Sequence, residues 1–184
     1  IPLRLFLVEA ITGLLFFGLG LAFGPTWRTL SLLFYSAFFV VIFVIDLEHE
    51  LVLNKVVYPG AGVAFLISAL DPGVGPLWAL VGGAAAFALF LLVYVAARGG
   101  MGGGDVKLAA LVGLATGFPT VLAALFVAFV SGGLVASVLL VAGLRRRKDP
   151  VPFGPFLVTG AWVALLGGRP VAAWYLDLLG IPFP

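Results

Sequence analysis

Long apolar runs recur from one end of this chain to the other, and each is cut off by glycine, proline or charge. The first, Leu5 to Phe23, stops at Gly24-Pro25, and the second covers Thr29 to Asp46. The third, Val56 to Leu70, ends on the turn-rich "DPGVGP", and the fourth spans Leu77 to Ala97. Asp105 to Gly117 is a shorter fifth run, broken by Phe118-Pro119, and Thr120 to Leu144 and Phe153 to Leu166 complete the set. An α-helix needs roughly 17–25 apolar residues to cross a bilayer, so the pattern demands membrane helices. The fifth run is too short to cross at about 1.5 Å per residue and is expected to be a half-span or to lie in a thinned region.

Composition agrees. Hydrophobic residues make up 63% and charged residues 10%, where soluble domains carry roughly 45–50% and 25%. A water-soluble fold of 184 residues lacks the interior to hide that much apolar surface. The expected fold is an all-α polytopic membrane protein of about six to seven transmembrane or half-span helices. It is expected to form one membrane-embedded domain over residues 1–184. The tail "WYLDLLGIPFP" is expected along the interface, with Trp174 and Tyr175 at headgroup level. The bilayer is thus one partner. The small net charge of +2, with scattered cations, argues against nucleic acid. The chain has no cysteine, which removes disulfides and thiolate chemistry. The opening "IPLRLFLVEA" carries Glu9 and does not resemble a cleavable signal peptide; the chain reads as one whose start is missing.

If the end bearing Arg4 is cytoplasmic and each run crosses, then Lys55, Arg98, Lys107 and the cluster Arg145, Arg146, Arg147, Lys148 all fall on the cytoplasmic side. Only Arg28 and Arg169 fall outside, which is the positive-inside distribution. The same topology brings Asp46 and Asp105 to one level. Glycines inside the runs (Gly13, Gly18, Gly20, Gly82, Gly83, Gly113, Gly132, Gly133) are expected to permit close helix packing.

Asp46 ends a long β-branched apolar stretch, and an acid there is costly unless it faces water or a partner. Glu48, His49 and Glu50 follow and are expected in a solvated extension. One histidine in the whole chain cannot build a metal site, so no metal is expected. Asp105 follows "RGGMGGG", whose glycines allow close backbone approach. Irregular backbone is tolerated in a membrane only where protein buries it or water bathes it. Asp105 also suits the N-cap of the run it opens, and on its own "GGGD" reads equally as a capped hinge. Two carboxylates sharing a site cannot both ionise easily. The charged one can take a proton from water while the neutral one donates to a carbonyl oxygen, which is amide hydrolysis without metal or covalent intermediate. Helix ends predict an asymmetry: a helix start at Asp105 favours charge, and a helix end at Asp46 favours the proton. Glu9 is expected to face protein or water rather than lipid.

In order along the chain, "VEAITGLLF", "IDLEHELVLN", "GMGGGDVKLAALVG" and "VPFGPFLVTGA" resemble the type IV prepilin peptidase family, membrane aspartic proteases with a G-x-G-D motif. The resemblance implies that Asp46 and Asp105 are the catalytic pair and that Gly102 and Gly104 shape the loop. It implies cleavage of the basic leader from prepilins or pseudopilins on the cytoplasmic face of the inner membrane. Glu48 and Glu50 are then expected to attract that leader. Lys107 either favours charge on a nearby carboxylate or snorkels to the interface. Many members also N-methylate the new terminus with S-adenosylmethionine, in association with a zinc-binding region of paired cysteines. Nothing here matches that region, so proteolysis is expected to need no cofactor and S-adenosylmethionine to enter only if methylation is retained. The family commonly has proline where Leu53 precedes Asn54. From another class, a proton-coupled transporter or channel would use Asp46 and Asp105 as a proton relay; the repeated halves usual in transporters are not visible.

Overall fold

In the computed structural model the described residues are 3–49, 51–97, 101–144, 152–178 and 180. Glu50, Arg98 and the cluster Arg145, Arg146, Arg147, Lys148 lie outside them, as do the side chains of Arg4, Arg169 and Tyr175. The described chain is helical: α1 (Leu3–Phe23), α2 (Trp27–His49), α3 (Asn54–Leu70), α4 (Gly75–Ala96), α5 (Gly103–Thr116), α6 (Thr120–Val141), α7 (Gly154–Val163), a π-helical turn (Ala164–Gly168) and α8 (Arg169–Leu178). Four of these, α1, α2, α4 and α6, are long and apolar enough to cross a membrane. The protein is therefore an all-α polytopic membrane protein, with shorter apolar helices between its spans.

The short fifth run becomes the centre of the bundle. Leu108, Ala109, Leu111 and Val112 of α5 are all fully buried. A helix wrapped by protein has no need to match the thickness of the bilayer. Its tightest neighbour is α4. A Cβ on Gly113 would run into the Gly82 carbonyl, and one on Gly82 would stand 2.6 Å from the Gly113 carbonyl oxygen. Only glycine at both positions lets the two backbones touch. A Cβ on Gly160 of α7 would likewise strike the Ala124 carbonyl of α6. The expectation of packing therefore holds for Gly82, Gly83, Gly113 and Gly132, each crowded by a neighbour. It fails for Gly13, Gly18, Gly20 and Gly133, around which nothing lies within 4 Å. The first three sit on α1, which packs on α2 and is otherwise left bare.

Boundaries differ from the sequence reading in instructive ways. α5 starts two residues before Asp105, with Gly102 as its N-cap in extended conformation. Asp105 is thus the third helical residue, and the expected N-cap is not where its side chain works. α3 starts at Asn54, earlier than expected, because the Leu53 carbonyl accepts from both the Val56 and the Val57 N–H. The last apolar run splits into α7 and a π-helical turn, and the tail is helical from Arg169.

Candidate active site

Helical periodicity separates the acids at the end of α2. Tyr35, Phe39, Ile42 and Asp46 recur at spacings of three and four, and all are buried. Asp46 completes that inward stripe and is 3% exposed. Glu48 and His49 point the other way, are exposed, and stand 3.9 Å apart. The same geometry that buries one carboxylate therefore solvates the next.

Asp105 is held by the glycine turn that precedes it. Its own N–H donates to the Gly102 carbonyl at 3.1 Å. Its carboxylate lies beside the Gly102 backbone: a Cβ there would stand 3.5 Å from Asp105 Oδ2, an ordinary contact distance. Gly104 lies against the loop after α2, where its Cβ would come within 2.7 Å of Val52 Cβ. Two of the motif's glycines thus carry different tasks, one beside the carboxylate and one joining α5 to the α2–α3 loop.

The structure brings the two aspartates together. Asp105 is 8% exposed, and the charge on Asp46 reaches it. Gly154, the first residue of α7, closes the group from a third side: its Cβ would stand 2.9 Å from Asp46 Cγ. In the sequence, "VPFGP" gives Gly154 no evident task. The available signal was Pro155, since proline near a helix start marks where one begins. With α7 starting against Asp46, both aspartates face a helix N-terminus. The asymmetry predicted from helix ends therefore loses its basis.

Lys107 does something that neither expectation covered. Its Nζ donates to Asn54 Oδ1 at 2.9 Å and stands 5.5 Å from the centre of the Tyr58 ring. It ties the start of α5 to the start of α3. Glu9 is exposed on α1 and so does not face protein within this chain. Among the described residues no three His, Asp or Glu side chains gather in a way that could hold a metal ion.

Residues 32–137 match the model of the type IV leader peptidase family, a stretch that runs from α2 into α6 and contains both aspartates. The chain belongs to that family. Family membership covers the aspartates and the glycine turn, while Gly154 lies beyond the matched stretch. Several relatives bear the name prepilin leader peptidase/N-methyltransferase. The Bacillus subtilis protein is 28% identical over 173 residues, covering 92% of this chain and 68% of that protein. The Aeromonas hydrophila protein is 30% identical over 175 residues, covering 92% of this chain and 60% of its own length. The Stutzerimonas stutzeri protein is 31% identical over 176 residues, at 93% and 61%. This chain thus spans between 60% and 68% of the length of these relatives. No solved structure matches it.

Proposed function

We propose that this chain is an aspartic endopeptidase that removes the leader of type IV prepilins or pseudopilins, with Asp46 and Asp105 as its catalytic pair. The observation that carries the reading is the meeting of two buried carboxylates, one from the end of α2 and one from the start of α5, close enough for one charge to act on the other. Two such groups share a proton and titrate as a pair. The ionised member takes a proton from a water molecule, whose oxygen attacks the scissile carbonyl carbon. The protonated member donates to the carbonyl oxygen as it gains charge. Collapse of the tetrahedral intermediate breaks the C–N bond, and the proton taken from water passes to the leaving amine.

The chain's own residues supply the surroundings. Gly102 and Gly104 bring backbone near Asp105, and Gly154 lets the start of α7 approach Asp46. Lys55 and Lys107 stand at the same end of the bundle as the carboxylates, and Arg28 stands at the other end. That distribution supports a cytoplasmic site in an inner membrane. The relatives' names include N-methyltransferase. A cleft lined by residues such as Arg28, Tyr35 and Thr116 lies at the end of the bundle away from the aspartates. S-adenosylmethionine would be needed only if this chain retains methylation, and proteolysis by the aspartate pair does not call on it.

The test is to incubate purified protein with a prepilin and sequence the new N-terminus. Cleavage at the leader junction is expected, and Asp46→Asn and Asp105→Asn should each abolish it. Near-normal cleavage by either variant would overturn the assignment of the pair. Proton flux through reconstituted protein, with no cleavage, would replace the reading with a proton relay.

A further inference from the structure

At the end of the bundle opposite the aspartates, α2 and α6 begin, α3 and α5 end, and a half-open cleft of about 120 Å³ lies between them. One water needs roughly 10–15 Å³ of such space, so the cleft has room for a small polar molecule. Its floor is unusually polar for a membrane bundle. Tyr35, Ser68, Thr116 and Thr120 are each at most 4% exposed and all line it. The Tyr35 hydroxyl donates to the Ala64 carbonyl at 3.2 Å and lies 3.2 Å from Ser68 Oγ, and Ser68 donates to the Ala115 carbonyl at 3.3 Å. Thr116 donates to the Val112 carbonyl at 2.9 Å. The Thr120 hydroxyl makes no hydrogen bond to any described residue. Its oxygen is not sealed off by protein, so it is open to a polar partner that enters the cleft.

The mouth carries one charge of each sign. Arg28 donates to the Leu166 carbonyl at 3.4 Å and lies 4.9 Å over the Phe23 ring, which holds the guanidinium in place with most of its five donors unspent. Asp71 accepts the Gly73 N–H on Oδ1 at 2.8 Å, and a carboxylate has about four acceptor positions. Among the described residues no ion pair joins Arg28 to Asp71. Two opposite charges on the lining of one cleft, not neutralising each other, are complementary to a ligand that carries both signs. α2 is a full-length apolar helix whose first residues, Trp27 and Arg28, mark the level at which its apolar span ends. Aromatic and cationic residues at that point sit among lipid headgroups.

We propose that this cleft binds a phosphoethanolamine group, with phosphate against Arg28 and the primary ammonium against Asp71. The same chemistry comes from two sources, a phosphatidylethanolamine headgroup or a soluble phosphoethanolamine. The site is separate from the peptide-cleaving pair, so it stands or falls independently of that reading.

The protein is reconstituted in nanodiscs with equal amounts of phosphatidylethanolamine, phosphatidylcholine and phosphatidylglycerol, then released, and bound lipid is counted by native mass spectrometry. Phosphatidylethanolamine should be retained about tenfold over either competitor, the value of one charge-assisted hydrogen bond lost by methylated ammonium or by glycerol. Arg28→Ala and Asp71→Ala should each reduce that preference to the bulk ratio, whereas Asp46→Asn should keep it. A second arm needs no variant: O-phosphoethanolamine and phosphocholine are added to the detergent-solubilised protein, and the Tm is followed. A rise with the first alone supports the site, and if it comes without lipid preference it assigns a soluble source. Equal retention of the three lipids together with no rise in Tm overturns the proposal. So does a preference that survives in both Arg28→Ala and Asp71→Ala.

Discussion

α1 and α5 each carry an acid in a largely apolar sequence, yet the protein treats them oppositely. Within α1 only 6% of the apolar window is buried, and its glycines have open space around them. α5 is shorter, almost wholly enclosed, and touches α4 backbone to backbone at Gly113. Hydropathy says that a helix belongs in the bilayer, but it cannot say whether lipid or protein surrounds it. The difference matters for chemistry. A helix wrapped by protein can start inside the bundle, and its first turn can then present an acid where no lipid reaches. α5 does so with Asp105. α1 carries its acid, Glu9, on an exposed face.

The sharpest way to break this contrast is to neutralise one acid on each helix. Asp105→Asn should lower the cleavage rate by about 10³-fold, within the range of a lost general acid or base. Glu9→Gln should change it less than about twofold, since exposed single substitutions usually have little effect. Prepilin cleavage measured at saturating substrate compares them directly. A large loss in Glu9→Gln would mean that α1 belongs to the site.

Gly154→Ala comes next. Its Cβ would press on Asp46 and force the carboxyl or the start of α7 to move. A displacement of about 1 Å costs on the order of 10²-fold in rate. The expected signature is a fall in kcat with KM nearly unchanged and helical content intact. An unaltered kcat would show that Asp46 has freedom the packing does not suggest.

Much of this was legible beforehand, for identifiable reasons. Asp46 lies on the stripe of Tyr35, Phe39 and Ile42, so periodicity alone turns it inward and Glu48 outward. The shortness of the fifth run already marked it as unlike its neighbours, but whether lipid or protein covered it depended on contacts with α4 and α3. The approach of Gly154 to Asp46 was out of reach, because nothing local in either stretch encodes a contact between the end of α2 and the start of α7. The same holds for Lys107, whose partner Asn54 lies on another helix. The glycines show the limit most plainly: Gly13 and Gly113 look alike in sequence, and only one is crowded.

That pair supplies a smaller effect. Gly113→Ala puts a methyl group into the Gly82 backbone, and overpacking of this kind costs about 1–3 kcal/mol. Gly13→Ala fills open space and should be neutral, or stabilise by up to about 1 kcal/mol through helix propensity. Thermal unfolding in one detergent reads both. Equal shifts in Tm would mean that α1 has a packed partner after all, or that α4 and α5 can separate without cost.

The smallest expected effect concerns the exposed end of α2. Glu48 faces away from the carboxylate pair, beside His49, so it can act on a basic leader only through space. Glu50, two residues on, is treated with it because the leader would meet both charges at once. Reversing both, Glu48→Lys with Glu50→Lys, should raise KM for a prepilin about threefold to tenfold at low salt and leave kcat alone, since exposed charges steer encounter rather than chemistry. The screening length falls from about 10 Å at 0.1 M salt to about 3 Å at 1 M. The difference in KM should therefore shrink as salt rises. If it persists at 1 M salt, Glu48 or Glu50 touches the leader. A change in kcat would place the end of α2 within reach of the reacting peptide.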